Sequence, residues 1–174
     1  MQGLNAVLID GSITADSLKR ATEEIVEVGR RGEQFSLLIN SLGGDLQRTL
    51  DFVDFLTSDE NLHGLQCIRI YQSGSAASYL ALSLNVPREM RWNSAFGLHL
   101  GSIGRVEIID LEDEGRIREE SFARFIGYFD KLMSLVLRLG VLTREEIRDT
   151  LIRYGQFELP AKECLRRGFV HRLF

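Results

Sequence analysis

Cysteine and proline are scarce in this chain, with two of each among 174 residues. Cys67 and Cys164 lie far apart, and no metal-ligand spacing surrounds either, so neither a disulfide framework nor a zinc site is indicated. One falls inside an apolar strand pattern and the other inside a predicted helix, and both read as buried thiols. Nothing resembling a Gly/Ser-rich linker, a low-complexity tract or an internal repeat marks a boundary. The chain therefore reads as one domain, 1–174, long enough for a sizeable core. Also lacking is any apolar run near the roughly 18 residues of a membrane span. No basic segment followed by an apolar one opens the chain, so no signal peptide is expected and a cytoplasmic location follows. A basic excess is missing too: the net charge is −4, which argues against a nucleic-acid partner. The arginines are scattered, mostly near acids, and read as a solvated surface.

What is present is an ordinary globular composition, 44% hydrophobic and 26% charged, which excludes a disordered class. "NAVLID" reads as a strand, and residues 14–31 as a helix with Leu18, Ala21, Ile25 and Val28 on one face. "FSLLIN" is a strand, followed by a glycine turn and a helix through Leu46, Leu50 and Val53. "LQCIRIY" is the next strand, with a helix beginning near Ser75. Strand–helix units with nearly continuous apolar strands predict an α/β fold with a parallel sheet covered on both faces. Beyond Asn85, "SAFGLHL" and "GRVEIID" read as short strands, and residues 116–139 as one long helix. Phe122, Phe125, Ile126, Phe129, Leu132, Met133 and Val136 recur on it at helical spacing. Leu135, Leu137 and Leu139 fall outside that stripe, so the helix has apolar surface for a second contact, that of a homo-oligomer. "TREEIRDTLI" and "PAKECLRR" read as helices and "GFVHRLF" as a last strand.

Two strands end on residues with little side chain, "NSLGGDL" and "SGSAAS". In parallel sheets chemistry gathers at the carboxyl ends of strands. Helix starts there carry unpaired amides and partial positive charge, suited to an oxyanion, while glycine and alanine leave room for close approach. Ser78 falls in the first turn of such a helix, a suitable place for a nucleophilic hydroxyl. A hydroxyl needs a base, and there are three histidines. His63 sits in a polar loop and His171 between basic residues, whereas His99 lies in a strand-like apolar run.

These blocks resemble the proteolytic subunit of the Clp protease, the ClpP family. "LLINSLGGDL" is similar to the family's I-N-S-P-G-G segment, "GSAAS" to its G-x-A-A-S motif, and "NSAFGLHL" to its N-S-x-x-x-x-H segment. "FELPAKECLRRGFV" and "LIDGSI" resemble the family's ending and opening strand, so the resemblance runs nearly the whole chain in order. It implies a ClpP/crotonase-like fold, a parallel sheet in repeated strand–helix units with a long protruding helix. It implies a serine-type endopeptidase acting on short peptides or unfolded protein, with Ser78 as nucleophile and His99 as general base. The amides of Gly44 and Tyr79 would form the oxyanion hole, and Gly43, Gly44 and Asp45 would bind a peptide added as a strand. Neither a metal nor a cofactor is implied, and the partner is a second copy in a ring.

The chain departs from the family in places. Gln156 stands where the family has its catalytic aspartate. Its amide oxygen can fix the tautomer of His99 but cannot stabilise imidazolium as a carboxylate does. Asp149 and Glu158 are substitute acids, though neither falls on the motif position. "SLGG" replaces S-P-G-G, "HLG" replaces H-Q-P, and the segment from His99 to Gln156 is longer than the family's. Few residues precede the first strand, so docking of an ATP-driven unfoldase is not expected. Two other readings follow: a catalytically silent ring subunit or binding module, and a crotonase-type acyl-CoA enzyme.

Overall fold

A computed structural model of the chain describes residues 5–58, 64–99, 134, 143–147 and 156–174. Its contacts divide into two compact units, Met1–Gly97 with Glu158–Phe174, and Leu98–Phe157. The elements in chain order are β1 (Asn5–Asp10), α1 (Ala15–Arg30), β2 (Phe35–Ser41), α2 (Leu46–Thr57), β3 (Leu65–Gly74) and α3 (Ser75–Ser83), then β4 (Arg88–Met90), β5 (Ala95–His99), α4 (Arg144–Ile147), β6 (Gln156–Pro160), α5 (Ala161–Arg166) and β7 (Arg172–Leu173). The strand order is β1-β2-β3-β4-β7, with β5 pairing β3 and β6 pairing β5. Those with a resolved register are all parallel. The chain is thus an α/β protein with a mostly parallel sheet.

The first half of the larger unit forms where hydrophobic spacing dictates. Helix α1 starts on Thr14, whose hydroxyl accepts the Ser17 N–H at 3.2 Å while the Thr14 N–H donates to Ser17 Oγ at 2.9 Å. Its buried face is Leu18, Ala21, Ile25 and Val28, the stripe the sequence predicts, together with Ser17. Helix α2 starts on Asp45, whose carboxylate accepts the Arg48 N–H at 3.0 Å. It buries Thr49, Phe52, Val53 and Leu56 and leaves Leu46 and Leu50 half-buried. Helix α1 packs on β1 and α3 on β2 and β3, with α2 against both helices, and the side chains buried on this face of the sheet are Val7, Ile9, Leu37, Ile39, Ile68 and Ile70. Each such aliphatic side chain contributes about 1.5–3 kcal/mol by leaving water.

Of the two faces of β1–β3, the one opposite the helices is only partly covered among the described residues. On the face opposite the helices Leu8 is 51% exposed, Ala6 and Asp10 are exposed, and Leu38, Cys67, Arg69 and Tyr71 are half-buried. Ala6, Asp10 and Arg69 are short or charged, and the Phe174 ring packs against Tyr71 at 5.3 Å and under Arg69 at 4.4 Å, so cover on this face is partial and confined to β3 at that end. For the same reason Cys67 is not the fully buried thiol expected; it lies 3.3 Å from Ser36 Oγ. Cys164 is buried, and burial pushes its thiol up to about 12, out of nucleophile range.

Past β3 the sequence reading loses elements. It misses β4, because "REM" carries two charges. The Arg88 side chain is nevertheless buried, donating from Nε to the Phe169 carbonyl at 2.7 Å and from a terminal nitrogen to the Leu84 carbonyl at 3.2 Å. Burial lowers its pKa, and the two carbonyls replace the carboxylate such a cation usually needs. Arg88 thereby ties the end of α3 to the C-terminal segment. "GFVHRLF" forms only the two-residue strand β7, because Gly168, at φ +78°, first turns the chain out of α5. On α5 itself, Arg166 and Arg167 hold the Glu163 carboxyl at about 2.

In the smaller unit α4 opens with a reciprocal cap. The Glu146 N–H donates to Thr143 Oγ1 at 3.1 Å, and the Thr143 N–H to Glu146 Oε2 at 2.9 Å. "GRVEIID" and, apart from helical Ser134, the helix expected over 116–139 lie outside the described residues. So do His63 and Asp149.

Candidate active site

The two small-residue turns meet at the carboxyl end of the sheet. Strand β2 runs out through Ser41 and Leu42 into Gly43 and Gly44. Gly43 has φ +105°, and a Cβ there would sit 2.7 Å from Ser75 Cβ and 2.8 Å from the Gly74 carbonyl oxygen. At Gly44 a Cβ would lie 2.3 Å from the Ile13 carbonyl oxygen. Only glycine fits either position. One glycine lets the first turn pack on the second, and the other lets it pair with Ile13.

That pairing fixes which way the Gly44 amide points. The Ile13 N–H donates to the Gly43 carbonyl at 2.9 Å, and the Asp45 N–H to the Ile13 carbonyl at 2.9 Å. Main-chain groups alternate sides along an extended segment, so the N–H and C=O of Gly44 face away from Ile13. Among the described residues no hydrogen bond takes up that N–H. The Gly43 N–H, by contrast, is bound to Ser41 Oγ at 3.0 Å. Asp45 has its amide on the Ile13 carbonyl, while its exposed carboxylate accepts the Arg48 N–H of the α2 cap through one oxygen, Oδ1.

The second turn depends on a break in register. Ile39 pairs Ile70, but Asn40 pairs Gln72 and Ser41 pairs Ser73, so Tyr71 is an extra residue. This bulge shifts the phase of the strand and turns Ser73 onto the helix-covered face beside Ser41. Ser73 is 2% exposed as a result, and its hydroxyl lies 3.0 Å from Ser78 Oγ. The chain then passes Gly74 and Ser75, which is left-handed at φ +51°, and enters α3. A non-glycine residue in that region costs about 1–2 kcal/mol.

Ser78 sits in the first turn of α3, as the sequence predicts, and is fully buried. Its hydroxyl donates to the Gly97 carbonyl at 2.6 Å. Gly97 pairs with Gly74 across β3 and β5. The hydroxyl is therefore held at both lone-pair and hydrogen ends by Ser73 and Gly97. Sequence alone marks neither partner; the only signals are a serine closing an apolar strand at Ser73 and a glycine inside one at Gly97.

Tyr79 follows in the same helix, with its carbonyl accepting the Ser83 hydroxyl at 2.8 Å. Counting from the Gly74 cap, the amides without an intrahelical acceptor are those of residues 74–77. The Tyr79 amide lies beyond them, and it serves an oxyanion only if the first turn opens.

The remaining candidates lie elsewhere along the chain. His99 is the last residue of β5, and its backbone belongs to the smaller unit. Gln156 opens β6 and is exposed; Glu158 is exposed as well. His171 is tied to β4: its Nδ1 accepts the Arg88 N–H at 3.0 Å, and its own N–H donates to the Arg88 carbonyl at 2.8 Å. Among the described residues no cluster of histidine, cysteine and carboxylates could hold a metal ion. No helix among them is long and apolar enough to cross a membrane. No protein-family model matches the chain, and no curated protein matches its sequence.

Proposed function

We propose that this chain is a ClpP-like serine peptidase with a ClpP/crotonase-like fold, cleaving short or unfolded peptides as a homo-oligomer. The observation that carries the reading is the junction of two strand ends at which neither glycine has room for a Cβ, with the outward Gly44 amide on one side and the first turn of α3, bearing Ser78, on the other. The pairing of Ser78 with His99 rests on the resemblance of "GSAAS" and "NSAFGLHL" to the family motifs.

In this mechanism the Ser78 hydroxyl first leaves the Gly97 carbonyl. His99 takes its proton as Oγ bonds to the peptide carbonyl carbon, and the C=O electron pair moves onto oxygen, where the Gly44 N–H stabilises it. Collapse of this intermediate breaks the C–N bond, the leaving amine takes the proton from His99, and water then hydrolyses the acyl-enzyme. Gln156 orients the imidazole through its amide oxygen without stabilising its charge. Slow turnover follows.

Hydrolysis of a short fluorogenic peptide tests this reading. Wild type should cleave slowly and Ser78→Ala not at all. Gln156→Asp, or the longer Gln156→Glu, should raise the rate by at most about 10⁴-fold, the loss an aspartate-to-asparagine change causes in a serine protease. If neither raises it while Asp149→Ala or Glu158→Ala abolishes cleavage, the third member is one of those acids.

A second reading has its own observation. Ser78 is fully buried and its hydrogen is on a main-chain carbonyl, the arrangement of a serine that serves packing. Under this reading the chain is a catalytically silent subunit or binding module, and all these variants are inert.

A further inference from the structure

Strand β1 stands at the edge of the sheet. The Gly11 N–H donates to the Asn40 carbonyl at 3.0 Å, on the side facing β2. By alternation Val7 and Ile9 also turn their main-chain groups to β2, and Ala6, Leu8 and Asp10 turn theirs outward. Strand β1 ends the strand order, so among the described residues no strand pairs with those outward groups. Edges of this kind are ordinarily guarded by lysine, proline or a bulge. "NAVLID" has none of them, its register with β2 is unbroken, and Leu8 is 51% exposed.

Beside this edge is a cleft of about 420 Å³ between residues 5–7 of β1 and the flank of α1, where it meets Glu23, Glu24, Glu27 and Arg31. Arg31 is engaged by Glu33 at 2.8 Å and Glu27 at 3.3 Å. Glu23 has only Lys19 at 3.9 Å, and Glu24 has no ion pair among the described residues. The cleft is thus net negative, and it runs along an unpaired strand.

A second copy is a poor occupant. Pairing β1 with its twofold mate would bring both sets of Glu23, Glu24 and Glu27 together, and like charges so placed repel. We propose instead that the β1 edge and the acidic flank of α1 form a docking groove for an extended segment that alternates basic with small apolar side chains. Such a segment adds to the sheet as a further strand. Successive side chains on it fall on opposite faces. One set meets the glutamates on the helix side, and the other lies beside Ala6 and Leu8.

The test is fluorescence anisotropy of the full chain with a labelled, acetylated and amidated peptide of sequence Lys-Val-Lys-Thr-Lys-Val-Lys. Saturable binding that weakens with salt is expected, and Glu23→Lys with Glu24→Lys should weaken it at least tenfold. Two further peptides, N-methylated on alternate amides in the two possible phases, leave the protein unaltered. One phase should bind like the parent and the other at least tenfold more weakly, because only one set of amides faces β1. Equal binding of both phases reduces the contact to charge and overturns the proposal. So does the absence of binding at millimolar peptide. Concentration-dependent self-association abolished by Leu8→Pro, which removes an outward N–H and the exposed Leu8 side chain while leaving the amides that pair with β2, makes a second copy the occupant and overturns it as well.

Discussion

The turns after β2 and β3 are built from similarly small residues, for different reasons. At Gly43 and Gly44 the constraint is steric: neighbouring main chain occupies the space any side chain needs. At Ser75 a side chain is present in a left-handed conformation that glycine would adopt freely, and at Ser78 a hydroxyl is buried where alanine would fit. The first turn is small because it has no choice. The second keeps a strained serine where glycine would relax, and a buried hydroxyl whose structural partners are Ser73 and the Gly97 carbonyl.

Substitutions sharpen the contrast, beginning with the largest effect. Gly44→Ala forces a Cβ into the Ile13 carbonyl and should destabilise the fold by about 3 kcal/mol or more, read as a fall in denaturation midpoint in urea. A loss under about 1 kcal/mol would mean the turn is free to move, and the steric half of the comparison would collapse. Ser78→Ala should cost about 1–3 kcal/mol, because the Gly97 carbonyl is left buried without its donor. A neutral result would mean water or another donor replaces the hydroxyl. Ser75→Gly should act in the opposite direction, raising stability by about 1 kcal/mol as the left-handed strain is relieved, less the greater freedom glycine brings to the unfolded chain. If it destabilises, the Ser75 side chain holds the turn rather than straining it.

The same contrast separates what the sequence reveals from what it hides. Strands β1 to β3 are legible as short apolar runs bounded by turn residues, and α1 as a 16-residue helix with one apolar face. The bulge at Tyr71 is not legible, since a single extra residue leaves the local pattern almost unchanged while reversing which side Ser73 faces. β4 is hidden by Arg88, whose burial depends on the carbonyls of Leu84 and Phe169, one of them distant in sequence. Within the site, Ser78 and the paired glycines stand out as residue types at helix and turn positions. That the Ser78 hydroxyl is bound by Ser73 and Gly97 follows from tertiary pairing alone.

Whether Ser78 is activated is most directly measured with a fluorophosphonate probe, which needs a reactive serine but not full turnover. Stoichiometric, time-dependent labelling of the folded wild-type chain is expected, mapped to Ser78 and absent from Ser78→Ala and His99→Ala. Labelling of Ser73 or Ser75 would move the nucleophile along the same turn. A folded chain that takes no label at all would contradict the account, leaving Ser78 as a packing residue that donates its hydrogen to Gly97.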